Sequence, residues 1–419
     1  MTERHTEDNV TNILRNGRLA NGNSVDIHVD DGHISKISPS DPMDDTHGST
    51  ACNLDGWLVL PAMAEPHAHL DKALTSEMVP NPTGDLMGAI TAWSEASAKG
   101  LFTHEGTVER SAAAMELLLV HGVTAVRTHI NVLGDNQTKS LRAVKEAAER
   151  FTGLLDVQTV ALTSRPMTGP DGALNRAALE AAIEEGVDFV GGCPHLDPDA
   201  PAMISHALAV AADAGIGIDL HVDEMLDPSI LTLRELAQQV IATGFDGLVA
   251  ASHCVTLGMQ SKSTQLEVSK LVAEAGIAVF PLPQTNLFLQ GRDDPTATPR
   301  GLTAVKALQD SGVLVAAGAD NVQDPFNLVG RSDPLETAAL MVMAGHQLPE
   351  TAYEMVSNNV RRAIGMPEVN IEVGDPADLM AINAPSVRGA IADAPMSRRV
   401  FRGGILVAST DQQTAIYRH

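Results

Sequence analysis

The chain has 419 residues, 44% of them hydrophobic and 19% charged, with a formal net charge of −25. That length suits one barrel of about 250–300 residues plus a smaller module. The acidic balance argues against nucleic acid and anionic membrane as partners, because both are polyanions. The sequence has no run of about 18 apolar residues, so no transmembrane helix is expected. The first residues, Met-Thr-Glu-Arg-His-Thr-Glu-Asp, lack an apolar signal core, and a cytoplasmic protein is the simplest expectation. Three cysteines (Cys52, Cys193, Cys254) give no disulfide framework. Cys193 and Cys254 sit in apolar runs and are read as buried thiols.

In chain order, residues 11–60 read as short strands with turn signals. Ile13–Leu19 and Val25–Val29 come first, and Asp31-Gly32 then marks a hairpin before His33–Ile37. From residue 57 the texture changes to apolar strand-like runs alternating with Ala/Glu/Leu-rich helical segments. The strand candidates are Trp57–Ala64, Val123–Asn131, Leu155–Thr163, Phe189–His195, Gly217–Glu224, Gly247–Cys254, Ile277–Gln284 and Leu314–Asn321. Eight buried strands alternating with helices predict a (β/α)8 TIM-type barrel over residues 61–365. The segment Ser76–Gly88, with Pro80 and Pro82, reads as a loop that forms either a lid or an interface arm. After 366, Asp378–Ile382 and Arg398–Val407 again read as strands around a Gly-Gly turn. Residues 1–60 and 366–419 are therefore expected to build one small β-sandwich module from both termini.

The chemistry concentrates at the C-terminal ends of the predicted barrel strands, where barrel enzymes carry their active sites. His67 and His69 form a His-x-His pair, and period-two alternation turns both rings to the same face. His221, Asp223 and Glu224 end the fifth strand, His253 the sixth, and Asp320 with Asn321 the eighth. His67, His69, His221 and Asp320 make a plausible mononuclear site. Imidazole with carboxylate suits zinc or iron(II), with manganese also compatible. His129 and His195 fall outside this set, with His129 a candidate for the pocket mouth. Arg127 reads as the partner of a structural carboxylate, with an anionic substrate group as the alternative. The fourth strand ends Gly191-Gly-Cys-Pro-His195 and has no lysine to bridge two metals, which favours one ion.

The segments Glu65-Pro-His-Ala-His-Leu-Asp71, Ala125–Ile130, Asp219–Glu224, Ala251-Ser-His253, Asn286–Arg292 and Gly318–Phe326 resemble the amidohydrolase superfamily, cytosine deaminase-like group, over nearly the whole chain. The Asp320-Asn321 pair is similar to a branch that removes alkylamines from s-triazines. The resemblance implies metal at His67, His69, His221 and Asp320, proton-transfer roles for Glu224 and His253, and a symmetric homo-oligomer; from the residues themselves, Asp320 is also a catalytic candidate that helps take the water's proton. Ser164 stands where cytosine deaminases carry a ring-reading glutamine, so the substrate is expected to differ from cytosine. Ser164, Gln290, Asn321, Phe326, Asp71 and Lys72 are the candidate substrate contacts, with Phe288 and Phe326 the expected ring contacts. The reaction expected is hydrolytic removal of ammonia from a small heterocycle: cytosine-like, aminotriazine or creatinine-like. The alternatives are cyclic amide hydrolysis, alkylamine release with the same metal and water, or a non-catalytic metal-binding barrel.

Overall fold

A computed structural model describes residues 13–40, 51–133, 137–294 and 296–417. The first eight residues, read above for a signal core, lie outside the described residues, as do 41–50 of the N-terminal module. Among the described residues five strands come first: β1 (Ile13–Arg18), β2 (Ser24–Asp30), β3 (His33–Pro39), β4 (Ala51–Asn53) and β5 (Leu58–Pro61). Seven parallel strands follow: β6 (Met63–Ala68), β7 (Val123–Val132), β8 (Asp156–Thr163), β9 (Phe189–Val190), β10 (Gly217–Val222), β11 (Val249–His253) and β12 (Ala278–Phe280). Three more close the chain: β13 (Leu379–Ile382), β14 (Arg398–Arg402) and β15 (Ile405–Thr410).

Strands β6 to β12 pair in chain order, with helices between most of them, as a TIM-type (β/α) barrel requires. Their residues are buried almost throughout, β6 and β10 completely, because helices cover one face and the barrel interior the other. The eighth position is filled by 314–320, which pairs only through isolated bridges: Val315 to Val279 and Asp320 to Ala68. Ala316 N donates to Val279 O and Asp320 N to His67 O, both at 3.1 Å, but between them Ala317 N leaves the ladder for Met355 O at 2.7 Å, which interrupts a regular strand. Glu65 secures this last seam. Its carboxylate accepts from His67 N at 3.1 Å and Ala319 N at 3.0 Å, and burial pushes its pKa up to about 8.

The predicted run Trp57–Ala64 is divided between two sheets. Leu58–Pro61 pairs antiparallel with β13, and the chain passes into the barrel after Ala62. Ala62 N donates to Asp378 O, which holds the crossing in place. The terminal sheet has the order β15-β14-β13-β5-β1-β2-β3, with β4 on β1, so both ends of the chain build it, as a module from the termini demands. Its own apolar core gathers Leu14, Ile27, Ile34, Leu379 and Phe401. Among the described residues no helix is long and apolar enough to cross a membrane.

Candidate active site

Strand ends bring five side chains together at the barrel mouth. His69 Nε2 lies 3.2 Å from His221 Nε2 and 3.2 Å from Asp320 Oδ1; His67 Nε2 lies 3.7 Å from the same oxygen. His253 Nε2 stands 4.0 Å from Asp320 Oδ2. His253 and Asp320 both take positive φ, +67° and +66°. Side-chain-bearing residues rarely adopt that region except where surrounding structure imposes it, and such residues cluster at functional sites.

The tautomers follow from the hydrogen bonds. His69 Nδ1 lies 3.1 Å from His129 O, which can only accept, so Nδ1 carries the proton and Nε2 presents a lone pair. Lys72 Nζ, 3.2 Å from the same Nδ1, is then a neighbour rather than a donor to it. Ser252 Oγ donates to Asp219 Oδ1 at 3.2 Å and accepts from His67 Nδ1 at 2.7 Å, which leaves the lone pair of His67 on Nε2. Burial, and then the neighbouring imidazoles or Lys72, hold His67, His69 and His221 well below the ordinary histidine pKa, so all three are neutral.

These residues fit a divalent cation. His67 Nε2 and Asp320 Oδ1 are buried with no hydrogen-bond partner, an arrangement that costs free energy unless something binds there. Ligands about 2.0–2.1 Å from a tetrahedral ion stand about 3.3 Å apart, close to the separations above. His67, His69 and His221 form one group able to hold an ion, and His67, His253 and Asp320 a second that shares His67.

Beneath them, Asp219 gathers Arg127 Nη1 at 3.0 Å and His129 Nε2 at 3.4 Å. Burial alone would raise its carboxyl; His129 and Arg127 hold it below the ordinary value instead. Arg127 also lies over the Phe189 ring at 3.7 Å, so it is structural. His129 is fully buried behind His67, with ring centroids 3.9 Å apart, so it does not reach the pocket mouth. With His67 and Asp219 it makes a third group able to hold an ion.

Above them lies a cavity of about 680 Å³, lined among others by Lys72, Trp93, Ser164, Arg165, Asn321 and Phe326. Glu224 lines it too, 3.6 Å from His253 Nδ1, with its carboxyl raised well above the ordinary range by burial and then by Asp320.

A model of the amidohydrolase family matches residues 100–405. The chain belongs to the amidohydrolase family. A pterin deaminase of Rhizobium rhizogenes (strain K84 / ATCC BAA-868) is 33% identical over 403 residues, spanning 91% of this chain and 87% of that protein. The N-isopropylammelide isopropyl amidohydrolase of Pseudomonas sp. (strain ADP) is 25% identical, spanning 95% and 97%. A crystal structure of 5-methylcytosine deaminase from Klebsiella pneumoniae, liganded with 5-fluorocytosine, superposes with a TM-score of 0.87 at 27% identity, covering 97% and 99%. With these relatives the amidohydrolase is a hydrolase acting on C–N bonds.

Of the residues singled out by sequence, the amidohydrolase brings His67, His69, His221, Glu224, His253 and Asp320 together, with Lys72, Ser164, Asn321 and Phe326 on the cavity wall. Two substrate candidates stand apart from that wall. Asp71 lines a smaller neighbouring cavity of about 200 Å³, one carboxylate oxygen accepting from Asn131 N. Gln290 Nε2 donates to Glu224 O at 3.1 Å, which shapes the backbone under Glu224. Phe288 carries Arg292 over its ring instead of lining the cavity; Trp93 is the second aromatic there. Cys193 is half-buried and on the cavity wall, while Cys254 is buried as expected.

The segment Ser76–Gly88 is tied down. Asn81 donates to Asp85 O and Pro325 O, both at 3.0 Å, and Asp85 caps the helix Leu86–Ala98 through Gly88 N at 2.7 Å. That helix supplies Leu86, Ile90 and Trp93 to the cavity. Sequence reading missed it, together with Ser252, Asn286 and Arg165. The signal for Ser252 was a hydroxyl inside the otherwise apolar run Val249-Ala-Ala-Ser. The role of Asp219 was missed as well; its signal was the period-two pairing with His221, which turns both side chains to one face.

Proposed function

We propose that this amidohydrolase deaminates a small amino-substituted nitrogen heterocycle, using one divalent cation, zinc or iron(II), held by His67, His69, His221 and Asp320. The observation that carries the reading is the convergence of four buried ligand atoms on one point, two of them (His67 Nε2 and Asp320 Oδ1) without a hydrogen-bond partner, beside an acid whose proton is held by burial. When bound, such a cation acidifies water and so supplies a nucleophile near neutral pH.

The chain's own groups then divide the proton work. Asp320 Oδ2 lies on the His253 side of the site and takes the proton from the attacking water. Asn286 Nδ2 donates to His253 Nδ1 at 3.1 Å, so His253 turns an Nε2–H toward Asp320 and steers the oxygen. Protonated Glu224 delivers its proton to the ring nitrogen beside the amino-bearing carbon, making that carbon electrophilic. Asp320 hands the proton it took to the departing amine, which leaves as ammonia, and the collapsing C–OH returns its proton to Glu224. Acid–base help of this kind is worth about 10²–10⁴-fold. Phe326, with Lys72 5.0 Å from its ring centroid, and Trp93 line the cavity and would meet a flat ring.

The pterin deaminase relative and a cavity of about 680 Å³ support a bicyclic ring over a single one. A second reading is alkylamine release, favoured by the apolar wall of Leu86, Ile90, Leu162 and Met167, which would accept an alkyl group. Ammonia release by the metal-analysed protein across aminopyrimidines, aminotriazines, pterins and creatinine-type rings tests the first reading. No ammonia from any ring, with one equivalent of cation bound, would overturn it. The next panel would then be N-alkyl triazines, hydantoins and lactams. We also read 61–365 as the barrel domain, and 1–60 with 366–419 as the two halves of the small module.

A further inference from the structure

The cavity has two chemically distinct ends. Counting the barrel positions from β6, the donor residues stand on the first, fifth, sixth and eighth. Arg165 stands two residues past β8, the third position, across the mouth from that group. It lines the cavity and is half-buried. Among the described residues its guanidinium has no hydrogen bond, no ion pair and no aromatic ring beneath it.

That is unusual in this chain. Acids outnumber bases by 53 to 28, and the other arginines away from open solvent have partners, such as Arg127 with Asp219, Arg361 with Asp378 and Arg398 with Asp333. Asp197, the acid on the same wall, is already engaged. It accepts from Met167 N at 2.6 Å, from Asp199 N at 3.2 Å and from the Thr168 hydroxyl. The Ser164 hydroxyl beside Arg165 also has no protein partner among the described residues. Lys72, the other cation of the cavity, sits at the metal end, against His69 and over Phe326.

We infer that Arg165 is a specificity-determining residue that binds a carboxylate on the substrate, on the ring edge remote from the carbon that is attacked. A guanidinium presents a planar fork of donors that matches the two oxygens of a carboxylate. Glu224 and Asp320 put acidic groups at the reacting end, so an anionic substituent is accommodated only at the far wall. The favoured substrate is thus an amino-heterocycle carboxylic acid. This deepens the proposed deamination and rests on it for the identity of the reacting carbon, but not for the anion contact.

The test is calorimetric binding of paired ligands to the metal-loaded protein: each amino-heterocycle of the panel, neutral and with a ring carboxylate. Wild type should bind a carboxylated member more tightly than its neutral partner by about 10- to 100-fold, the range of a charge-assisted hydrogen bond. Arg165→Met should erase that preference and leave neutral-ring binding within about threefold; Arg165→Lys should restore part of it. Arg165 makes no bond that folding requires, and unchanged circular dichroism and metal content would verify this. The inference is overturned if no carboxylated ring outbinds its neutral partner, or if Arg165→Met weakens both alike. Ammonia release is measured separately. Carboxylate binding that depends on Arg165 without ammonia would sink the deaminase reading and keep this one.

Discussion

Two regions of the molecule bury charge and treat it in opposite ways. At the seam between barrel and terminal sheet, buried charges are closed on one another. Arg398 binds Asp333 through two bonds of 3.0 and 2.7 Å, and Asp378 takes Arg361 at 3.3 Å and also Arg402. At the barrel mouth, His67 Nε2, His253 Nε2 and Asp320 Oδ1 are equally buried but have no hydrogen-bond partner. A buried polar group without a partner costs roughly 1–3 kcal/mol, so a fold keeps several together only where something else binds. The seam pairs most of its charge, although Arg361 Nε stays unbonded, while the mouth leaves together the atoms that could hold an ion. The same distinction separates Arg127, bonded to Asp219 and Gln158 and stacked on Phe189, from Arg165, which has no such partner among the described residues.

The strongest challenge to that contrast is Asp320→Ala. It should abolish measurable turnover and drop bound cation well below one equivalent by elemental analysis. Stoichiometric metal in the variant would remove Asp320 from the ligand set. Glu224→Gln should retain the cation yet lose at least about two decades of turnover; near-normal ammonia release would take Glu224 out of the proton path.

On the seam side, Asp333→Ala strands the Arg398 guanidinium in the interior. Denaturant unfolding should show a loss of about 3–5 kcal/mol, with per-molecule activity of the folded fraction kept. A loss below 1 kcal/mol would mean the seam is not closed in the sense argued. The smallest effect is expected from Ser252→Ala, which removes the hydrogen bond that orients His67. Metal affinity measured by competition with a chromophoric chelator should fall by about 10- to 100-fold, with little change in fold stability. Unchanged affinity would make Ser252 a packing residue.

Much of this was legible in the sequence. The His-x-His pair, the runs ending at His221, His253 and Asp320, and the strand–helix alternation each depend on local periodicity, which a linear reading captures. The division of Trp57–Ala64 between two sheets was not legible, because both halves are equally apolar and only their partners differ: β13 for one, β7 for the other. Nor was the segment 314–320 as an irregular closure, since its deviation comes from a hydrogen bond to Met355, distant in sequence. Asp71 and Gln290 are substrate candidates in the sequence because they stand in the motif segments. Asp71 faces a neighbouring cavity, and Gln290 supports a backbone carbonyl.

The sequence by itself determined the barrel, the candidate ligands and the acid beside them, because residue type and period two decide which side chains share a strand face. Only the tertiary structure decided which of many buried polar groups are paired and which are not. Partnership is a property of contacts across strands: His67 to Ser252, Arg127 to Asp219, Arg398 to Asp333. No local pattern encodes those contacts, and they are what separate a structural arginine from one available to a ligand.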